Sequence, residues 1–264
     1  MSRTVFTSMG TVISLLTPGP PPAAQVLAAV EREFHDRDRR FSLYRADSEV
    51  SALARGELQL TAVSPEFRST LHRATGWEDA THGSFRTRSP NGVLDLSGLV
   101  KAEAMEAAGN RLLTAGAGHW LLNAGGDVLV SGRNGTMAWT VGIVDPLDRT
   151  ALITSVQLGE PWPALATSGV AERGEHIWGP PGHADFLQVS VLGPDIVTAD
   201  VLATAIMAGG RRALEASVSG GNIDALCITR DDQLLITPRL RAQVTAPSGS
   251  WNAGAGRRSV PEAS

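Results

Sequence analysis

Four short segments of this chain bring together residue types that chemistry uses. In Asp95-Leu-Ser-Gly-Leu-Val-Lys101 a carboxylate and an ammonium stand six residues apart across a glycine. Glycine lets the backbone approach a phosphate or expose a carbonyl, and the start of a helix favours negative charge. The same pattern also suits a capped helix with a surface salt bridge. In Thr198-Ala-Asp-Val-Leu-Ala-Thr204 the spacing of Asp200 and Thr204 places their oxygens on one helical face, with Leu202 and Ile206 on the packed or flanking side. Carboxylate and hydroxyl oxygens are hard ligands appropriate to magnesium. The plainer alternative is an aspartate stabilised by the helix dipole and a threonine bonded back to its own turn.

The third segment is Ala166-Thr-Ser-Gly169, followed by Arg173, His176 and Gly182. Small hydroxyl residues, a cation and an imidazole suit a phosphate and a base beside it, although a histidine near the Gly179-Pro-Pro-Gly182 turn equally suits a structural role. The fourth, Leu122-Asn-Ala-Gly-Gly-Asp-Val128, is a strand running into two glycines. The chain there turns sharply or lies against something that excludes a β-carbon. The third glycine and following helix of a dinucleotide fingerprint are missing, so a hairpin turn accounts for the segment as well.

These segments sit in a mixed pattern of elements. Strands are predicted over 12–16, 120–123, 128–131, 138–144, 152–158, 186–192, 223–228 and 233–236. Helical spacing covers 23–39, 65–80 with Ser64 as N-cap, an alanine-rich stretch from Gly98 to about Leu113, and 198–218. Strands and helices do not alternate regularly, which points to α+β rather than a doubly wound sheet. The tail from Ala246 onward is Gly, Ser, Ala and Pro with two arginines, a composition that predicts disorder over 246–264.

With 264 residues, 42% of them hydrophobic, the chain can bury a sizeable core. A formal net charge of −4 argues against a nucleic-acid partner. The single cysteine, Cys227, excludes an internal disulfide and lies in an apolar run, where burial is the expectation. No charged leader with an apolar core opens the sequence, and no stretch approaches the roughly 18 apolar residues of a membrane span. The expectation is therefore a cytoplasmic protein without membrane insertion.

The order of the motifs carries more than any one of them. Met9-Gly-Thr11, Phe41-Ser-Leu-Tyr44 leading to Asp47-Ser-Glu-Val-Ser51, Asp95 to Lys101, Asn123 to Asp127, Trp139 to Ile143 with Asp145-Pro146, Ala166 to Gly169, and Ala199 to Thr204 closing at Gly209-Gly210 follow one another over about residues 5 to 237. This series resembles the ApbE family of flavin transferases. The resemblance implies a T-fold-related, two-lobed α+β domain over 1–245 with a ligand groove between the lobes. It implies FAD as substrate, with Met9, Tyr44, Ser84, Phe85, Arg86, Asp95, Lys101, Thr167, Ser168 and His176 as binding residues. It implies Mg2+ held by Asp200 and Thr204 with Gly98 and Ala203, and His176 and Lys101 as the catalytic residues. The implied reaction transfers FMN from FAD to a threonine of an acceptor flavoprotein, with release of AMP.

The chain departs from that pattern in four places. Only nine residues separate Phe85 from Asp95, where the family usually has several tens. Arg86 replaces an aspartate, Ala102 a glycine, and Gly179 an aspartate of the His-Ile-x-Asp-Pro motif. The resemblance therefore also admits a divergent paralogue that binds FAD without transferring it.

Overall fold

A computed structural model of the protein describes residues 1–169 and 185–244. The chain begins with an antiparallel hairpin, β1 (Ser2–Ser8) and β2 (Thr11–Thr17), turned by Met9 and Gly10. Both turn residues have positive φ, 53° and 70°, which matches the twist a two-residue hairpin turn must supply. Three helices follow: α1 (Ala24–Phe41), α2 (Glu49–Ala54) and α3 (Pro65–Ala80). The Ser64 hydroxyl accepts the Phe67 N–H, the N-cap expected there. Helix α4 (Ser97–Thr114) starts one residue before Gly98, and Asp95 Oδ1 accepts the Ser97 N–H at 2.9 Å.

The strands β3 (Trp120–Ala124), β4 (Asp127–Ser131), β5 (Trp139–Val144), β6 (Leu152–Leu158), β7 (Ala164–Gly169), β8 (Phe186–Gly193), β9 (Asp224–Thr229) and β10 (Leu234–Ile236) follow. Helix α5 (Ile196–Ser219) lies between β8 and β9, and the short α6 (Pro238–Arg241) follows β10. The Asp195 carboxylate caps α5 by accepting both the N–H and the hydroxyl of Thr198, each at 2.7 Å. Gly210, with φ 65° and ψ −153°, breaks the helix near its middle.

Among the described residues, eight strands form one antiparallel sheet in the order β1-β2-β3-β4-β7-β8-β9-β10, and β5 pairs with β6 in a separate ribbon. Alternation along each strand separates two cores. Ile13, Leu15, Leu122, Ala124, Ala164, Ala166, Val189, Val191, Ala225 and Cys227 face α1, α3, α4 and α5. Leu121, Val128, Val130, Leu165, Leu192, Leu226 and Ile228 face the β5–β6 ribbon and Leu240. Helices gathered on one face of an antiparallel sheet are the α+β arrangement expected.

Some elements lie where none is predicted, among them the short helices α2 and α6. The segment 164–169, for which no element is predicted, is strand β7, between β4 and β8 in the middle of the sheet. The terminal segment Ser2–Ser8, given no element, is the edge strand β1. No helix of the described residues is long and apolar enough to cross a membrane. The tail from Ala246 lies outside the described residues.

Candidate active site

Among the described residues, the most buried charge cluster lies where α4, β4, β7 and α5 meet. Its foundation is the β3–β4 turn. Ala124 pairs with Asp127, so Gly125 and Gly126 alone make the reversal, with φ values of 61° and 97°. This tight turn delivers Asp127 as the first residue of β4, with no exposure to solvent. A fully buried carboxylate requires partners. Asp127 has two: Oδ1 accepts the backbone N–H of Thr167 at 3.0 Å, and Oδ2 forms an ion pair with Lys101 Nζ.

Lys101 sits in the second turn of α4 and is itself buried. Its ammonium also lies 4.0 Å from Asp200 Oδ2, in the second turn of α5. The surface salt bridge that the segment also suited is not what Lys101 makes, since its ion pairs with Asp127 and Asp200 are buried. Asp95 is half-buried and accepts the N–H of Ser97, the first residue of α4, while Lys101 reaches across to the sheet.

One turn beyond Asp200, Thr204 Oγ1 stands 3.3 Å from Ser168 Oγ. Thr167 presents its side chain to the opposite face of β7, where its hydroxyl bonds the buried Ser190 Oγ at 2.9 Å. Thr167 therefore meets this cluster through its backbone and Ser168 through its hydroxyl. Gly98 lies in the first turn of α4, against α5. A β-carbon on it would stand 3.1 Å from the Phe85 ring and 3.8 Å from the Thr204 methyl. Ala203 is fully buried in the core, which leaves its backbone as the only group it could offer a ligand.

The remaining expected binding residues are spread more widely. The Phe85 ring is 1% exposed and packs in the core, so its side chain supports the site rather than lining it. Ser84 lies against the break in α5, since a β-carbon on Gly209 would approach Ser84 Oγ to 2.7 Å. Arg86 is exposed, and its Nε donates to the Gly83 carbonyl at 3.2 Å. Met9 is partly buried at the β1–β2 turn, beside the Gly125 turn, because the Gly125 N–H bonds the Val12 carbonyl. Tyr44 is 85% exposed, between α1 and α2. His176, Arg173 and Gly179 lie outside the described residues.

Asp127 was not among the expected site residues. The signal for it was a carboxylate placed directly between a Gly-Gly turn and the apolar run Val128-Leu129-Val130. Cys227 lies in the core with no exposure, and burial pushes its thiol up to about 12, which leaves it a packing residue rather than a nucleophile. Among the described residues no group of three or more His, Cys, Asp or Glu side chains is arranged to hold a metal. A cation here would draw instead on the Asp200 carboxylate, the Thr204 and Ser168 hydroxyls and backbone carbonyl oxygen.

A helix-covered antiparallel sheet with a buried lysine between two carboxylates, and hydroxyls one turn away, defines an α+β protein built around a buried polar centre. The model of the ApbE family matches residues 9–89 and 85–227, and this chain belongs to that family. The FAD:protein FMN transferase of Rhodobacter capsulatus is 32% identical over an alignment of 185 positions that covers 66% of this chain and 35% of that protein. The match thus spans about a third of the length of that curated relative. The fold is shared with the ApbE protein of Thermotoga maritima, at a TM-score of 0.76 and 17% identity over 93% of this chain and 99% of the other. The flavin transferase ApbE of Vibrio cholerae gives a TM-score of 0.75 at 20% identity, over 92% of this chain and 99% of the other. The flavinyl transferase ApbE of Pseudomonas stutzeri gives 0.73 at 17% identity, over 92% and 97%.

Proposed function

We propose that this chain is a magnesium-dependent FAD:protein FMN transferase that acts on a threonine hydroxyl of an acceptor flavoprotein. The observation that carries the reading is the placement of Lys101 between Asp127 and Asp200, with the Thr204 and Ser168 hydroxyls one helical turn along. Family membership and the name of the Rhodobacter relative support the choice of substrate.

The residue types fit the reaction. The threonine oxygen bonds to the FMN-side phosphorus of FAD while the bond from that phosphorus to the bridging oxygen breaks, and AMP leaves with that oxygen. The hydroxyl proton must go to a base, and His176 is the residue assigned to take it, an effect worth roughly 10²–10⁴-fold in rate. Little covalent chemistry falls to the protein, so positioning and charge stabilisation dominate.

The donor set of Asp200, Thr204, Ser168 and the Gly98 and Ala203 backbone suits magnesium, a hard cation that takes oxygen ligands and shares them with phosphate. When bound, the metal would offset charge on the phosphate oxygens. Lys101 lies 4.0 Å from Asp200 and supplies a second, fixed positive charge at the same place. On the ligand side, Asp95, Met9, Tyr44, Ser84, Phe85, Arg86 and Thr167 are assigned to FAD, with Phe85 acting through packing and Thr167 only through its backbone.

The test is direct. The protein is incubated with FAD, Mg2+ and an acceptor carrying a Ser/Asp-Gly-x-Thr-type segment, and covalent in-gel flavin fluorescence is read alongside AMP. Both products are expected in equal amounts. Tight FAD binding without either product would replace the transferase by a flavin-binding paralogue.

A further inference from the structure

The charge cluster under α4 is not arranged as a simple phosphate site. A lysine meant to meet a phosphate alone would be expected to present an uncompensated ammonium. Here Lys101 is buried against Asp127, a carboxylate with no solvent exposure that is anchored by the Thr167 backbone. Asp200 lies 4.0 Å away on the other side. Among the described residues, one formal positive charge thus stands against two formal negative ones. Two carboxylates about one ammonium disfavour a pyrophosphate until a cation joins them.

We infer that Asp127 is a positioning residue that holds Lys101 beside Asp200 and cancels its charge, so that the site accepts the FAD pyrophosphate only together with a divalent cation. The inference rests on the transferase reading for its ligand and deepens it by assigning a role to Asp127. With the cation present, the local balance changes from net negative to net positive, and the lysine charge then works with the metal on the same phosphates. Without it, Asp127 keeps the ammonium occupied. The isosteric Asp127→Asn removes one negative charge and leaves the shape of the turn. Lys101→Met removes the positive charge. The double variant returns the formal charge of the site to the wild-type value.

The experiment measures FAD binding by quenching of flavin fluorescence, once in EDTA and once in saturating Mg2+. Wild type is expected to bind much more weakly in EDTA. Asp127→Asn is expected to bind FAD about tenfold tighter than wild type in EDTA and to depend less on Mg2+. Lys101→Met is expected to be weaker than wild type in EDTA, and the double variant to recover most of that loss. A merely structural role for Asp127 predicts the opposite sign, with weaker binding in both conditions, and that result would overturn the inference. So would a double variant no better than Lys101→Met. Should Asp127→Asn fail to fold, the double variant still decides, because removing both partners of a buried pair is tolerated better than removing one. A wild type that binds no FAD in either condition overturns this inference and the transferase reading together. Binding with the expected pattern but no transfer overturns only the transferase reading.

Discussion

Gly125 lies so close to Thr11 that a β-carbon on the glycine would stand 2.6 Å from the Thr11 hydroxyl oxygen. The contact joins the β3–β4 turn to the start of β2, and with it the turn that delivers Asp127 to the turn that carries Met9. Two costs therefore fall on any side chain at 125: the collision, and a φ of 61° that only glycine adopts freely. Gly125→Ala should destabilise the protein by about 1–3 kcal/mol in urea melts. Adding Thr11→Ala should restore the steric part and leave about 1 kcal/mol of backbone strain. A double variant as unstable as the single one would mean that the hydroxyl contact does not matter.

How far the sequence foretold this structure depended on whether each signal was local. Helix α3 matches its expected span and cap, because Ser64, Pro65 and the spacing that follows are neighbours in the chain. Strand β6 likewise matches over Leu152–Leu158. Strand β7 escaped because Ala164, Ala166 and Ser168 lack the branched or aromatic residues of a typical strand. They are small because α5 packs across them, with Ala199 and Ala203 on its own side, a tertiary reason invisible in the segment itself. In the site, Asp200 and Thr204 were legible as a helical pair. The partner of Lys101 was not, since Asp127 is distant in the chain and only the meeting of a hairpin turn with α4 brings it there.

The assignment of magnesium to α5 predicts a specific loss. Asp200→Ala should lower transfer by at least the about 10–100-fold that removing an outer-shell partner of a metal costs. It should also raise the Mg2+ concentration needed for half-maximal activity, while circular dichroism stays that of the folded protein. An Asp200→Ala variant with an unchanged Mg2+ titration would move the metal elsewhere.

Glu33 links α1 to α4, the helix that carries Lys101, by accepting from Arg37 Nη1 at 2.7 Å and from Arg111 Nε at 2.9 Å. Burial alone would raise its carboxyl, but the hydrogen bonds and charges of Arg37 and Arg111 outweigh burial and hold it below its ordinary value of 4.5. A carboxyl lowered on folding stabilises the protein above its unfolded-state value, and that contribution is lost as pH falls through the lowered one. Arg111 is 61% exposed, so solvent screening limits the gain to less than about 1 kcal/mol. Glu33→Gln mimics the protonated acid. Near neutral pH it should melt slightly below wild type. The two melting temperatures should converge as pH falls below 4.5, where the wild-type carboxyl takes up its proton. A gap that stays constant down to pH values well below that range would show that the variant acts through packing, and that the Arg111 link contributes nothing that depends on charge.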